Sequence, residues 1–216
     1  MTFYERLARE TKAEREILYS SPLIVAALKG DVTLENYLDF LREAYHHVKH
    51  TVPLLNACSA GVPEDKAFVR EALAEYVEEE QGHEEWILDD IENSGGDREQ
   101  AKGAGPAPAT EVMVAYAYDY IERVNPLGFF GMVFVLEGTS SQLATGAAGV
   151  IMQSLGLKED SFHYLLSHGS LDQDHIKFFQ KVVERITDQK DQDDIIHMAR
   201  IIFRLYAGVF NSVIGK

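Results

Sequence analysis

Ionisable side chains on the apolar face of a helix call for explanation, because a buried charge is costly unless it is paired or bound to a cation. The segment SLDQDHIKFFQKVVERI, residues 170–186, carries such groups. With Leu171 set at zero, Ile176, Phe178, Phe179, Val182, Val183 and Ile186 cluster around a direction of about 60°. His175 falls at about 40° and Asp172 at about 100°, and His168 one turn earlier at about 60°. Gln173, Lys177, Gln180, Lys181 and Glu184 lie on the opposite side. The i, i+4, i+7 spacing stacks His168, Asp172 and His175 on neighbouring turns of one face. A hydrogen-bonded His–Asp pair would account for one of them. Three on one apolar stripe point to metal ligation.

A helix expected from Pro63 to roughly Asn93 repeats the pattern. Val69, Leu73, Tyr76 and Ile87 centre about 100° from Phe68, with Glu80 at about 120° and His83 at about 60° inside the stripe. Glu79 lies at its edge, while Glu78 and Glu85 point outward. The E-x-x-H spacing that results is used by di-iron carboxylate bundles. A third element contributes one residue. Between Arg123 and Lys158 the only ionisable side chain is Glu137, set among Phe129, Phe130, Val133 and Phe134. Such a carboxylate should be neutral, paired or bound to a cation. The alternative is a bond to the hydroxyl of Ser140 or Ser141.

The inward set is therefore Glu80 (or its neighbour Glu79), His83, Glu137, His168, Asp172 and His175. It contains no thiolate, Cys58 being the only cysteine. Carboxylate oxygen with imidazole nitrogen suits iron or manganese, and zinc less exclusively. Six side chains could hold two ions if one carboxylate bridges them. His47 shares a face with Phe40, Ala44, Thr51 and Leu54 and could line a substrate pocket with Tyr76; the other reading is a plain core histidine. His46 and His50 fall with Asp39 and Glu43 on the polar side of their helix.

The segment HGSLDQDHIKFF, with its H-x-x-x-D-x-x-H spacing, resembles the haem-oxygenase-like di-iron oxidases and oxygenases. So does EEEQGHEEW, followed about fifty residues later by the isolated Glu137. The resemblance covers most of the chain and extends to a superfamily that includes the TenA thiaminases, the PQQ-synthesis oxidase and the Chlamydia protein that associates with death domains. It implies an all-α, haem-oxygenase-like bundle of seven or eight helices, in which two iron ions activate O₂ against a small organic substrate such as an amino acid or a fatty acid. Manganese or zinc could take the same ligands. His83, Glu137, His168, Asp172 and His175 carry over as ligands. In some branches the acid of the first motif stands seven residues before the histidine, and here that position is Tyr76; other branches use E-x-x-H, which matches Glu80. The alternatives are a metal-independent enzyme of cofactor metabolism with the same fold, and a metal-binding or interaction protein without turnover.

The elements that must position these groups are helices, since strand alternation is nearly absent. The expected helices cover about residues 2–19, 22–28, 33–61 with a bend at Pro53, 63–93, 110–124, 126–156, 171–186 and 191–214. A linker rich in Gly, Pro and Ala occupies about residues 95–109. One domain over residues 1–216 is the simplest organisation, since no apolar surplus on either side of that linker suggests a second core.

A formal net charge of −15 argues against a nucleic-acid partner, which would require a basic face. The longest apolar stretch, Pro126–Leu157, carries Glu137, polar residues and several glycines, and reads as a buried helix rather than a membrane span. The lone cysteine and the charged amphipathic start MTFYERLARETK fit a soluble cytoplasmic protein. The expected partners are a small-molecule substrate and O₂, with homodimer formation left open.

Overall fold

The computed structural model describes residues 1–214, and the side chains of all of these except residues 170–173. The described residues form twelve α-helical segments. The chain opens with α1 (Phe3–Glu10), where Thr2 and Glu5 form a reciprocal capping box, and α2 (Lys12–Tyr19). Next come α3 (Pro22–Lys29), closed by Gly30 at φ 77°, α4 (Leu34–Val48), capped by Thr33, and α5 (Thr51–Gly61). The remainder is α6 (Ala67–Glu80), α7 (His83–Asn93), α8 (Arg98–Gly103), α9 (Pro108–Arg123), α10 (Phe130–Leu155), α11 (His163–Val183) and α12 (Gln189–Ile214).

The excess over eight helices has local causes. The helix expected over about residues 2–19 is cut at Thr11, the one over 33–61 at Lys49–His50, and the one over 63–93 at Gln81–Gly82. Pro53 explains the second cut, because its ring clashes with the carbonyl four residues earlier and the break falls there, at Lys49, rather than at the proline. Gly82, at φ 89°, explains the third. The short α8 lies inside the expected linker, opened by Asp97, whose side chain accepts from the Gln100 N–H. Conversely, α11 starts eight residues earlier than expected and runs unbroken past His168.

A buried core of side chains from nearly every helix runs through the bundle, with α10 at its centre against α11 and α12. Two glycines set those close approaches. A Cβ on Gly131 would stand 2.4 Å from the Ile195 carbonyl oxygen of α12, and one on Gly169 would stand 2.1 Å from Thr145 Oγ1 of α10. Any larger residue would push the helices apart. The start of α11 is fixed from α7, because fully buried Asp90 accepts the backbone N–H groups of His163 and Tyr164, both at 2.8 Å. The last two contacts tie together α7, α10 and α11, three of the four helices that carry the inward-facing acids and imidazoles. No helix among the described residues is long and apolar enough to cross a membrane.

The face of α4 expected to be polar is not solvated. Asp39, Glu43 and His46 are all buried. Glu43 accepts the Ala107 N–H and the Thr110 hydroxyl at the start of α9, and Arg42 pairs with Asp39. The start of α9 covers Glu43, a long-range event that helical phase alone cannot show.

Candidate metal centre

The break after α6 decides where two of the acids go. Glu80 is the last residue of α6 and His83 the first of α7, with Gln81 extended and Gly82 left-handed between them. Both side chains are buried, and His83 Nδ1 donates to Glu80 Oε2 at 3.1 Å. Their proximity is thus built by a turn rather than by one turn of continuous helix.

The helices α10 and α11 bring the rest. From α11, His175 stands with Nδ1 3.9 Å from Glu137 Oε1 of α10 and 4.0 Å from Glu80 Oε1. His175 Nε2 lies 3.2 Å from Glu79 Oε2. His168, one face and two turns earlier, places a ring nitrogen with ligand atoms of Glu80 and His83 so that all three lie within 4.8 Å of one another. Ligands about 2 Å from a shared ion stand roughly 3–4 Å apart; the His175 separations from Glu80 and Glu137 lie at the top of that range, and the 4.8 Å bound on Glu80, His83 and His168 lies somewhat beyond it. Of the six residues expected from the sequence, the structure brings Glu80, His83, Glu137, His168 and His175 to one place. Asp172 lies outside the described side chains. Ser140 and Ser141 donate back to carbonyls of α10, at Leu136, Glu137 and Gly138.

The charge balance is that of a cation site. Burial pushes the Glu80 carboxyl upward, but the hydrogen bond from His83 and the nearby His168, His83 and His175 together hold it below the usual range. The ion pairs described for Glu79, Glu80 and Glu137 are all with histidines, which are weak counter-charges at neutral pH. Two buried carboxylates and three imidazoles, with no thiolate and a half-exposed third acid at the rim, make a hard-oxygen and nitrogen donor set. Such a set fits iron or manganese. Glu79 is thereby a closer neighbour of His175 than its edge position suggested.

Two cavities meet at this cluster. One is lined by His47, Thr51, Leu54, Tyr76, Met132 and Leu136 together with Glu80, Glu137 and His168. The other is almost wholly apolar, bounded by Leu23, Ile24, Phe40, Leu143, Ala147 and Ile151. They share Ser140, Tyr164, His168 and Tyr206 as a common wall. His47 is buried against the edge of Tyr206 at 5.6 Å, and its Nδ1 has no hydrogen-bonding partner among the described residues. Burial first, and then His168, His50 and His46, drive its pKa down to about 3, so the ring is neutral. Tyr76 meets His175 edge-on at 6.2 Å. Cys58 donates to the Pro126 carbonyl, and burial pushes its thiol up to about 12, which leaves it inert.

An aromatic frame surrounds the imidazoles, in which Trp86 has the packing use that its sequence position allowed, while the parts of His163 and Tyr164 were not foreseen. Trp86 stacks on His83 and on His163, and Tyr164 leans against His168. The signal available was the i, i+3 spacing of His83 and Trp86; His163 carried none, because it lies ahead of the expected start of its helix.

Residues 38–207 match the family described as iron-containing redox enzyme. No curated protein matches the chain. Among solved structures, a domain of unknown function with a haem oxygenase-like fold from Shewanella denitrificans is 24% identical, with a TM-score of 0.87 over 99% of this chain and 92% of that one. A TenA homologue from Pseudomonas syringae pv. tomato superposes with a TM-score of 0.83 at 10% identity, over 99% and 93%. The haem oxygenase of Leptospira interrogans does so at 0.76 and 16%, over 98% and 100%. At these identities the likeness shows the fold, which is haem oxygenase-like.

Proposed function

The chain belongs to the family of iron-containing redox enzymes, and from that premise we propose that it is a non-haem iron oxidase or oxygenase acting on a small organic substrate with O₂. Glu80, His83, Glu137, His168 and His175, with Asp172, would hold iron, two ions if a carboxylate bridges them. When bound, ferrous iron would supply the redox chemistry that O₂ requires and that no side chain offers.

The observation that carries this reading is the convergence of buried acids and imidazoles from α6, α7, α10 and α11 at the junction of two cavities. Every other part follows from what the side chains do there. The carboxylates set the charge of the site, and the apolar walls exclude water from it. Among the described residues, and apart from the candidate ligands, neither cavity is lined by a charged one. The substrate body that fits is therefore uncharged and largely apolar. Neutral His47 can hold one of its polar atoms by a hydrogen bond, and Tyr76 closes the wall beside His175.

Protein expressed with ferrous iron and purified without chelator should carry iron in the elemental analysis, and an anomalous map at the iron edge should place it among these residues. The ferrous protein should then consume O₂ in the presence of a matching substrate. A preparation that contains no metal and turns over a substrate would instead favour a metal-independent enzyme of the same fold. Stable iron without O₂ consumption across a broad substrate panel would favour a binding protein.

A further inference from the structure

Trp86 is the only tryptophan of the chain, one turn after His83 on α7. One face of its indole covers the His83 ring, with centroids 3.9 Å apart and planes 27° from parallel. Against the other indole contact lies His163, the first residue of α11, at 4.6 Å and 26°. The indole also meets His168 edge-on, at 6.0 Å and 74°. Tyr164 leans on His168 at 4.6 Å and 57°. Between these supports the His83 and His168 rings stand 4.9 Å apart and nearly perpendicular, at 79°.

Ligand imidazoles are ordinarily oriented by a hydrogen bond at the nitrogen facing away from the ion. His168 has such an anchor, its Nδ1 standing 3.1 Å from the Tyr164 carbonyl oxygen; a carbonyl only accepts, so the proton sits on Nδ1 and the lone pair on Nε2. His83 Nδ1 donates to Glu80, itself a candidate ligand, so that anchor belongs to the centre rather than to a support outside it. The support from outside is the stack, which adds to that bond in fixing the His83 ring plane. The stack in turn is held from across the helix gap by His163, whose backbone N–H is bound by Asp90.

Resting on the metal-centre reading above, we propose that Trp86 is a positioning residue of that centre: clamped between α7 and α11, its indole sets the planes of the His83 and His168 imidazoles so that both present a nitrogen to the same ion. It does not ligate and touches no substrate. Its emission, unmixed with any other tryptophan, reports the site directly.

The test is metal binding, measured without turnover. Ferrous iron, and cobalt(II) as a spectroscopic probe, are titrated anaerobically against a competing chelator into the wild-type protein and the variants Trp86→Phe, Trp86→Leu and His163→Ala. The melting of each metal-free protein is recorded alongside. Binding of either ion to the wild type should quench the tryptophan emission. Trp86→Leu should weaken binding about tenfold or more and alter the cobalt absorption, as loss of a supporting shell does. Trp86→Phe, which still stacks, should recover most of the affinity even if its metal-free melting point falls as far as that of the leucine variant. His163→Ala, at an exposed position, should bind several-fold more weakly and shift the emission of the freed indole. Wild-type affinity and an unchanged cobalt spectrum in Trp86→Leu would overturn the positioning role alone. Should that variant fail to fold, unchanged affinity in His163→Ala would overturn it instead. A wild-type protein that takes up neither ion overturns both this role and the metal-centre reading.

Discussion

Glu80 and His83 are three residues apart and stand in hydrogen-bond contact, yet they belong to different helices, one ending α6 and the other opening α7. The turn between them depends on Gly82 at φ 89°, a backbone region that costs an ordinary residue roughly 1–2 kcal/mol. Nothing lies within 4 Å of a Cβ placed there, so Gly82→Ala would add strain without a clash. Its expected effect is that loss of stability plus weaker iron binding, because alanine favours joining α6 to α7. Gly95→Ala is the matched control, with φ 84° and equally open surroundings beyond the far end of α7. It should lose similar stability in denaturant and keep wild-type iron affinity.

Gly169 controls the distance between α10 and α11. A Cβ there would meet Thr145 Oγ1 at 2.1 Å and Thr145 N at 2.9 Å. Gly169→Ala should cost about 1–3 kcal/mol in chemical unfolding. It should also lower iron content, since the adjacent His168 moves with the helix. Adding Thr145→Ala removes the nearer clash and should restore part of both losses. No recovery in the double variant would mean that the contact is not what limits the approach.

Glu137→Gln separates folding from metal binding. The exchange keeps the shape and removes one buried charge beside Glu80, so the metal-free variant should melt no lower than metal-free wild type. Ferrous iron should raise the melting point of the wild type through linkage and do so far less in the variant. Equal stabilisation of both by iron would remove Glu137 from the ligand set.

Asp90, which is not among the candidate ligands, supplies a pH dependence of stability. Burial outweighs the backbone N–H groups of Tyr164 and His163 and pushes its carboxyl from an ordinary 3.8 up to about 7. The folded protein thus holds this proton more tightly than the unfolded chain does. Its stabilising contribution is complete below about pH 4 and is lost as the pH rises through about 7. Asp90→Asn cannot titrate, so its melting temperature should decline less than that of the wild type between pH 5 and 7.5. An unchanged slope in the variant would contradict the shift.

Helical phase could place His168 and His175 because α11 is regular, and Glu137 stood out as the single charge in a long apolar stretch. Phase also put Glu80 and His83 inward, but for a reason only partly right. Glycine inside a run of acids reads as a tolerated helix residue, whereas the structure uses Gly82 to end one helix and begin another. The misreading of Asp39, Glu43 and His46 as a wet face has a different origin. What covers Glu43 is the start of α9, more than sixty residues downstream, and a pattern confined to one helix has no knowledge of a neighbour that far along the chain. The ring contacts of Trp86 and His163 are likewise products of two helices meeting.

The partition between the two cavities is made at Ser140, Tyr164, His168 and Tyr206, from side chains alone. Tyr206 stands in that wall, buried against His47 and Phe210. Removing its ring would join two small chambers into one elongated vault, so Tyr206→Ala should admit longer guests at unchanged iron content; identical length preference in the variant would show that the limit lies elsewhere.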